Sequence, residues 1–267
     1  MTFIPAHSVV QAPGTDPTKT AFVLHGILGN QKNWRSFARR FVSDHPDWSL
    51  VLVDLRNHGK SIQATGHHTV RAAAEDLVRL ATAVGTPDAV IGHSFGGKVA
   101  LVFSTLCKLE QCWVLDSIPT LQSEDAREEL RRVFRTLENA GAPFTSRDEM
   151  PLVLRAQGVA ESLVLWMTTN LTRTEFGFNW SFQLDHCRDM IEDYFNLDAM
   201  AILSAATTQI HLVHAERNSQ WTPALVSQIE ATHSSVQTHL LQDADHWVHV
   251  DNPNGLLAIM HTYFMRA

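Results

Sequence analysis

Five residues, Gly92-His93-Ser94-Phe95-Gly96, constrain this chain more than any other stretch. They stand between an apolar β-rich run, residues 88–91 (DAVI), and a helical pattern over 97–109. A serine on a sharp strand-to-helix turn has a strained backbone, and small neighbours are needed because strand and helix come close together. The hydroxyl then stands at the end of a sheet, beside a helix N-terminus that favours developing negative charge. The turn therefore predicts both an α/β fold and a nucleophile at Ser94.

The rest of the chain agrees with that fold class. Residues 20–24 (TAFVL), 50–53 (LVLV), 88–91 and 112–115 (CWVL) read as buried strands, with helical patterns at 30–44, 70–83 and 97–109 between them. Alternation of this kind marks a parallel sheet with crossover helices. Two further strands follow at 209–214 (QIHLVH) and 236–241 (VQTHLL), with a helix at 221–231 between them and a last helix at 254–265. The stretch 119–204 interrupts the pattern. It opens with a charged run, Ser123-Glu-Asp-Ala-Arg-Glu-Glu-Leu-Arg-Arg, which reads as a solvated helix face, and turns aromatic at Trp166, Phe176, Phe178, Trp180 and Phe182. About 85 residues exceed a simple crossover. The expectation is a helical cap over 119–204, inserted into an α/β core made of 1–118 and 205–267. Trp166 and Trp180 are the cap's candidate substrate contacts.

Composition removes several functions. Twenty-one Lys+Arg against 28 Asp+Glu give a net charge of −7 with no basic run, which argues against binding nucleic acid. Cys107, Cys112 and Cys187 show no C-x-x-C spacing, so neither a disulfide framework nor a zinc site is expected. The pairs His211/His214 and His246/His249 lack a third ligand pattern, and residues three apart on a strand face opposite ways. Neither G-x-G-x-x-G nor a Walker A sequence occurs, so no metal and no cofactor is expected. The start, Met1-Thr-Phe-Ile-Pro-Ala-His-Ser, carries no basic leader followed by an apolar stretch, and no apolar run reaches membrane-spanning length. A cytoplasmic protein without a membrane span is the expectation.

Two more motifs supply what a serine nucleophile needs. His25-Gly26-Ile27-Leu28-Gly29 follows the strand 20–24, and its glycines let main-chain N–H groups turn toward the nucleophile. The N–H groups of Ile27 and Phe95 are the candidates for an oxyanion hole. A serine hydroxyl also needs an imidazole to take its proton. Asp245-His246-Trp247-Val248-His249 follows the last strand, where a loop can reach Ser94, and His246 is the candidate base. His249 already begins the approach to the last helix.

Together these motifs resemble the α/β-hydrolase family over nearly the whole chain, and Asp54-Leu-Arg-Asn-His-Gly-Lys-Ser61 resembles that family's D-x-R-x-x-G-x-S turn. More narrowly, GHSFGGK, DLRNHGKS, HWVH and Phe178-Asn-Trp-Ser-Phe-Gln-Leu-Asp185 are similar to the small abhydrolase-domain acyl esterases of bacteria and organelles. The resemblance implies an eight-stranded, mostly parallel sheet flanked by helices. It also implies a Ser–His–acid triad without cofactor, acting through an acyl-enzyme on a small-molecule carboxylic ester or thioester. C–C bond hydrolases and perhydrolases of the family use the same residues, and a non-catalytic ligand-binding module is the alternative outside enzymes. Epoxide hydrolases and haloalkane dehalogenases use an aspartate nucleophile, so Ser94 speaks against them.

The acid is where this chain departs from the family's usual pattern. Most members carry it after the penultimate strand, but here that loop reads Ala215-Glu216-Arg217-Asn218-Ser219, with Asn218 at the usual position. Asparagine cannot stabilise an imidazolium as a carboxylate does. Asp116, at the end of the strand after the nucleophile's, can reach the same imidazole, as in the similar small esterases, and keeps the chain order Ser–Asp–His. Glu216 is the rival, two residues early. Asp243 and Asp245 lie too near His246 in sequence to orient it, and Asp245, where relatives often have glycine, is expected to face solvent. Asn218 is left a hydrogen-bonding role beside the triad.

Overall fold

Parallel strands buried on both faces organise the molecule, whose computed structural model describes residues 3–264. The chain runs β1 (His7–Val10), β2 (Lys19–Leu24), α1 (Arg35–Asp44), β3 (Trp48–Val53), α2 (Val70–Val84), β4 (Ala89–His93), α3 (Phe95–Leu106) and β5 (Gln111–Leu115). An insert follows: α4 (Glu124–Asn139), α5 (Glu149–Ala156), α6 (Glu161–Thr168), the hairpin β6 (Leu171–Thr174) and β7 (Gly177–Trp180), α7 (Leu184–Asn196) and α8 (Met200–Ser204). The sheet resumes with β8 (Gln209–Ala215), α9 (Pro223–Glu230), β9 (Val236–Leu241), α10 (Val248–Asp251) and α11 (Pro253–Phe264).

The strand order is β1-β3-β2-β4-β5-β8-β9, with β1 antiparallel and the others parallel. Every residue of β3, β4 and β5 is buried, as strands covered by helices on both faces require. Successive residues feed opposite layers. Phe22, Val51 and Val90 pack with Leu77 of α2 and Val99 and Phe103 of α3, whereas Val23, Leu52 and Ile91 pack with Phe37 and Phe41 of α1 and Met260 and Phe264 of α11. No helix among the described residues is long and apolar enough to cross a membrane.

The α/β-hydrolase architecture inferred from the motifs is present, with differences in detail. Among the described residues the main sheet has seven strands rather than eight. The stretch between β1 and β2 carries Pro13, Gly14 and Pro17, and proline has no N–H to give a ladder, so it turns instead of pairing. β1 alternates exposed and half-buried residues, but its sequence, HSVV, carries no polar–apolar alternation to announce it. The insert is not wholly helical, because threonines at alternate positions and Gly177 favour the hairpin, whose register sets Leu171 opposite Trp180. The helix expected from residue 30 begins with a 3₁₀ turn, Gln31–Trp34, capped by Asn30. Met265, the last residue of the expected final helix, lies outside the described residues.

The turn from β4 into α3 brings three backbones nearly into contact. A methyl group on Gly92 would run into the Gly96 carbonyl and the Ala100 methyl, and one on Gly96 would meet the carbonyls of Leu24 and His25. Gly92→Ala should therefore lower unfolding free energy by about 3 kcal/mol, read as a reduced urea midpoint with an unchanged slope. Stability equal to the parent's would contradict the packing described.

Candidate active site

Ser94 occupies the turn between β4 and α3 with φ 53° and ψ −119°, a left-handed backbone that L residues rarely adopt. Two hydrogen bonds hold it there: Ser94 N–H donates to Leu115 O at 2.9 Å, and Gly97 N–H donates to Ser94 O at 2.8 Å. As the first residue of α3, Phe95 has an N–H with no acceptor in a preceding turn, free to bind an anion at the helix N-terminus.

Asp116 ends the neighbouring strand β5 in the same manner, with φ 43° and its N–H donating to Val213 O at 2.7 Å. Its carboxylate is buried and takes three donors. Ala215 N–H reaches Oδ1 at 3.1 Å, and Asn218 Nδ2 and His246 Nδ1 reach Oδ2 at 2.9 and 2.7 Å. His246 Nε2 lies 3.1 Å from Ser94 Oγ. With Nδ1–H donating to Asp116, Nε2 carries the free lone pair and can accept the serine proton. The structure thus brings Ser94, His246 and Asp116 together, and it gives Asn218 the task of holding the carboxylate. Glu216 is exposed and accepts from Asp243 N–H at 2.9 Å, away from the imidazole. Asp245 is exposed and accepts from its neighbour His246 N–H at 2.8 Å.

Four other histidines support the site, and their roles are invisible in sequence because each has at least one partner distant in the chain. His58 donates from Nδ1 to Arg56 O at 2.8 Å and accepts at Nε2 from Leu28 N–H at 3.0 Å, which fixes the Ile27-containing loop. His25 ties that loop to the next, donating to Gly26 O at 2.7 Å and accepting from Leu55 N–H at 3.0 Å. His93 donates from Nε2 to His246 O at 2.7 Å, pinning the loop that carries His246. His249 stacks on Trp34 at 4.0 Å. Burial pushes all four pKa values down, those of His58 and His249 to about 3, so the rings are neutral.

The D-x-R-x-x-G-x-S turn does structural work. The Asp54 carboxylate accepts from Gln31 N–H and Nε2, each at 2.8 Å, and from Lys60 N–H at 3.0 Å, joining the turns after β2 and β3. Arg56 pairs with buried Asp76 at 2.8 Å.

Ser94, His246 and Ile27 open on a cavity of about 530 Å³. Its insert side is largely apolar, with Leu130, Val133, Leu163, Trp166, Ile191 and Phe195, and Arg217, Asn218 and Gln220 line it from the loop after β8. Trp166 lies 5.7 Å from Trp247, the residue after His246. Trp180 corrects the expectation for it: buried between Phe144 and Phe182, at ring distances of 5.3 and 5.5 Å, it does not line the cavity. Its place in the hairpin register turns it into the insert's own core. Among the described residues no group of three or more side chains is placed to hold a metal ion.

A family model described as the alpha/beta hydrolase family matches residues 21–259. The chain is 24% identical over 259 residues to the sn-1-specific diacylglycerol lipase ABHD11 of Danio rerio, spanning 93% of this chain and 78% of that protein. It is 23% identical over 246 residues to Esterase YbfF of Escherichia coli (strain K12), spanning 90% and 91% of the two chains. Among solved structures, a marine microorganism esterase superposes with a TM-score of 0.81 at 19% identity, covering 98% of this chain and 100% of that one, a likeness of fold.

Neutral buried histidines make stability depend on pH. The unfolded chain takes up protons below about pH 6.5 whereas His58 and His249 in the folded chain do not, so stability falls as the medium is acidified from 6.5 toward 4. Each ring contributes a slope of about 1.4 kcal/mol per pH unit in that window. His249→Phe, which preserves the stacking on Trp34, should remove one such increment from urea denaturation measured across these pH values. An unchanged slope would mean His249 is protonated in the folded protein.

Proposed function

This chain belongs to the alpha/beta hydrolase family, and from that premise we propose that it hydrolyses small-molecule carboxylic esters through an acyl-enzyme on Ser94. One observation carries the reading: an unbroken hydrogen-bond chain, Ser94 Oγ to His246 Nε2 and His246 Nδ1 to Asp116, opening on an apolar-walled cavity. Esterases and a lipase among its relatives support an ester as the substrate.

In this mechanism Ser94 Oγ attacks the acyl carbon while His246 Nε2 takes its proton. Asp116 holds the imidazole in the required tautomer and stabilises the imidazolium. Negative charge on the former carbonyl oxygen falls to the N–H groups of Ile27 and Phe95, whose donors are fixed before the reaction and need little reorganisation. His246 then protonates the departing alcohol. A water deprotonated by the same nitrogen attacks the acyl-enzyme and releases the acid. The insert acts as a cap, with its apolar wall and Trp166 taking the acyl or alcohol portion out of water.

Ser94→Ala should abolish both turnover of p-nitrophenyl esters and the intact-mass adduct formed with a fluorophosphonate probe. Asp116→Asn should retain the fold and lose roughly 10⁴-fold in kcat, as expected when the base is left in the wrong tautomer. Undiminished turnover in Ser94→Ala would overturn the mechanism. A folded parent that takes no adduct and turns over no ester, yet binds an ester analogue, would mark a binding module instead.

Asn218→Ala gives a subtler readout. It removes one of the three donors to Asp116, so kcat should fall about tenfold, the size of one hydrogen bond to a charged group. An unchanged kcat would show that Ala215 N–H and His246 suffice to fix the carboxylate.

A further inference from the structure

We propose that Lys98 is a positioning residue that ties the acyl-binding wall of the cavity to the helix carrying the nucleophile, and so sets which acyl chains the site accepts. The proposal rests on the ester reading above for its substrate and on the following geometry for its site. Lys98 lies on α3 four positions after Ser94, with no exposed surface. Its Nζ donates to three main-chain carbonyls, Thr120 at 2.8 Å, Tyr194 at 2.9 Å and Leu197 at 2.6 Å, and sits 4.5 Å from the Tyr194 ring centre. Among the described residues no carboxylate is within ion-pair distance of it.

Those carbonyls belong to two connections, the one that leads from β5 into the insert and the one between α7 and α8 within it. Thr120 is where the chain leaves β5, and Tyr194 and Leu197 are at the end of α7, where the dipole is negative and the Tyr194 carbonyl has only a long main-chain bond, from Leu197 N–H at 3.4 Å. From the insert side, Arg127 of α4 holds the same end, donating to Phe195 O and to Gln122 O, each at 3.0 Å. Lys98 is the tie from the sheet side. Burial pushes its pKa down to about 7, with the Arg127 charge acting in the same direction and those of Asp198 and Asp193 opposing it. A buried ammonium is a costly way to fill space, and an apolar side chain would leave three carbonyls without their donor.

The tie reaches the site without touching the reacting groups. Ile191, Tyr194 and Phe195 line the cavity. The Tyr194 ring lies 5.9 Å from that of Phe95, and its hydroxyl is 3.3 Å from Ser117 Oγ, next to Asp116. Releasing the end of α7 shifts this wall while Ser94, His246 and Asp116 keep their own supports.

The test compares the parent with Lys98→Met, which keeps volume without donors, and Lys98→Gln, which keeps two N–H donors without charge. For Lys98→Met, the ratio of KM for p-nitrophenyl hexanoate to KM for the acetate should change roughly tenfold, about the size of one of the three hydrogen bonds lost. The ratio of the two kcat values should stay within about twofold of the parent's. Lys98→Gln should fall between, and it carries the test if Lys98→Met does not fold. Deuterium exchange supplies a readout free of turnover: Gln122 N–H and Ala199 N–H, which bridge the two connections through Phe195 O and Pro119 O, should lose protection while α2 keeps it. Equal protection in parent and variants, or KM values for both esters moving together, would overturn the proposal. Fluorophosphonate labelling of the same samples separates the two readings, since an unlabelled parent sinks the ester mechanism while exchange still judges Lys98.

Discussion

The left-handed backbone at Ser94 is the constraint on which the site depends. Such a conformation costs of order 1–3 kcal/mol for a residue with a side chain, and it persists because its surroundings leave no alternative. Gly92 allows β4 and α3 to touch, Gly96 allows α3 to approach the end of β2, and Leu115 O and Gly97 N–H hold the serine's own peptide groups. Asp116 repeats the device one strand over, held by Val213 O. Two adjacent parallel strands therefore end alike and project a hydroxyl and a carboxylate from one rim of the sheet. The imidazole between them arrives on a loop that His93, the residue before Ser94, fastens through the main chain of His246.

Charge at this rim is controlled by keeping most of it absent. His93 and His249 flank the His246 loop, His25 and His58 stand behind the turns after β2 and β3, and burial holds each of them neutral. Positive rings there would oppose formation of an imidazolium at His246. As neutral rings they offer one donor and one acceptor, and His25 and His58 spend both on main-chain groups of the turns after β2 and β3. The same neutrality that suits the proposed chemistry makes the fold sensitive to acid. Lys98 works by a different rule, a buried amino group whose donors gather the carbonyls at the seam between sheet and insert.

Local patterns were legible where a single turn of chain contains its own explanation. The strand runs, the crossover helices and the Gly-x-Ser-x-Gly turn could be read because apolar periodicity and small residues act over a few positions. The hairpin in the insert and the edge strand β1 were not, since short strands acquire their state from the partner they pair with. Trp180 shows the same limit. An aromatic residue in an aromatic-rich segment can face a cavity or fill a core, and the pairing of Leu171 with Trp180 set it against Phe144 and Phe182.

By itself the sequence determined the fold class, the order of the strands in the chain, and the candidacy of Ser94, His246 and the Ile27 loop, because each follows from residues adjacent in the chain. Two carboxylates, Asp116 and Glu216, stayed open for the third position. Only the tertiary structure shows which of them meets the His246 imidazole, and it is Asp116. β5 lies between β4 and β8, so the end of β5 is within reach of both the serine turn and the loop that carries Asn218, whereas Glu216 turns outward to Asp243. Neighbourhood across a sheet is decided by which strands bury their faces together, and one chain read residue by residue does not contain that distance.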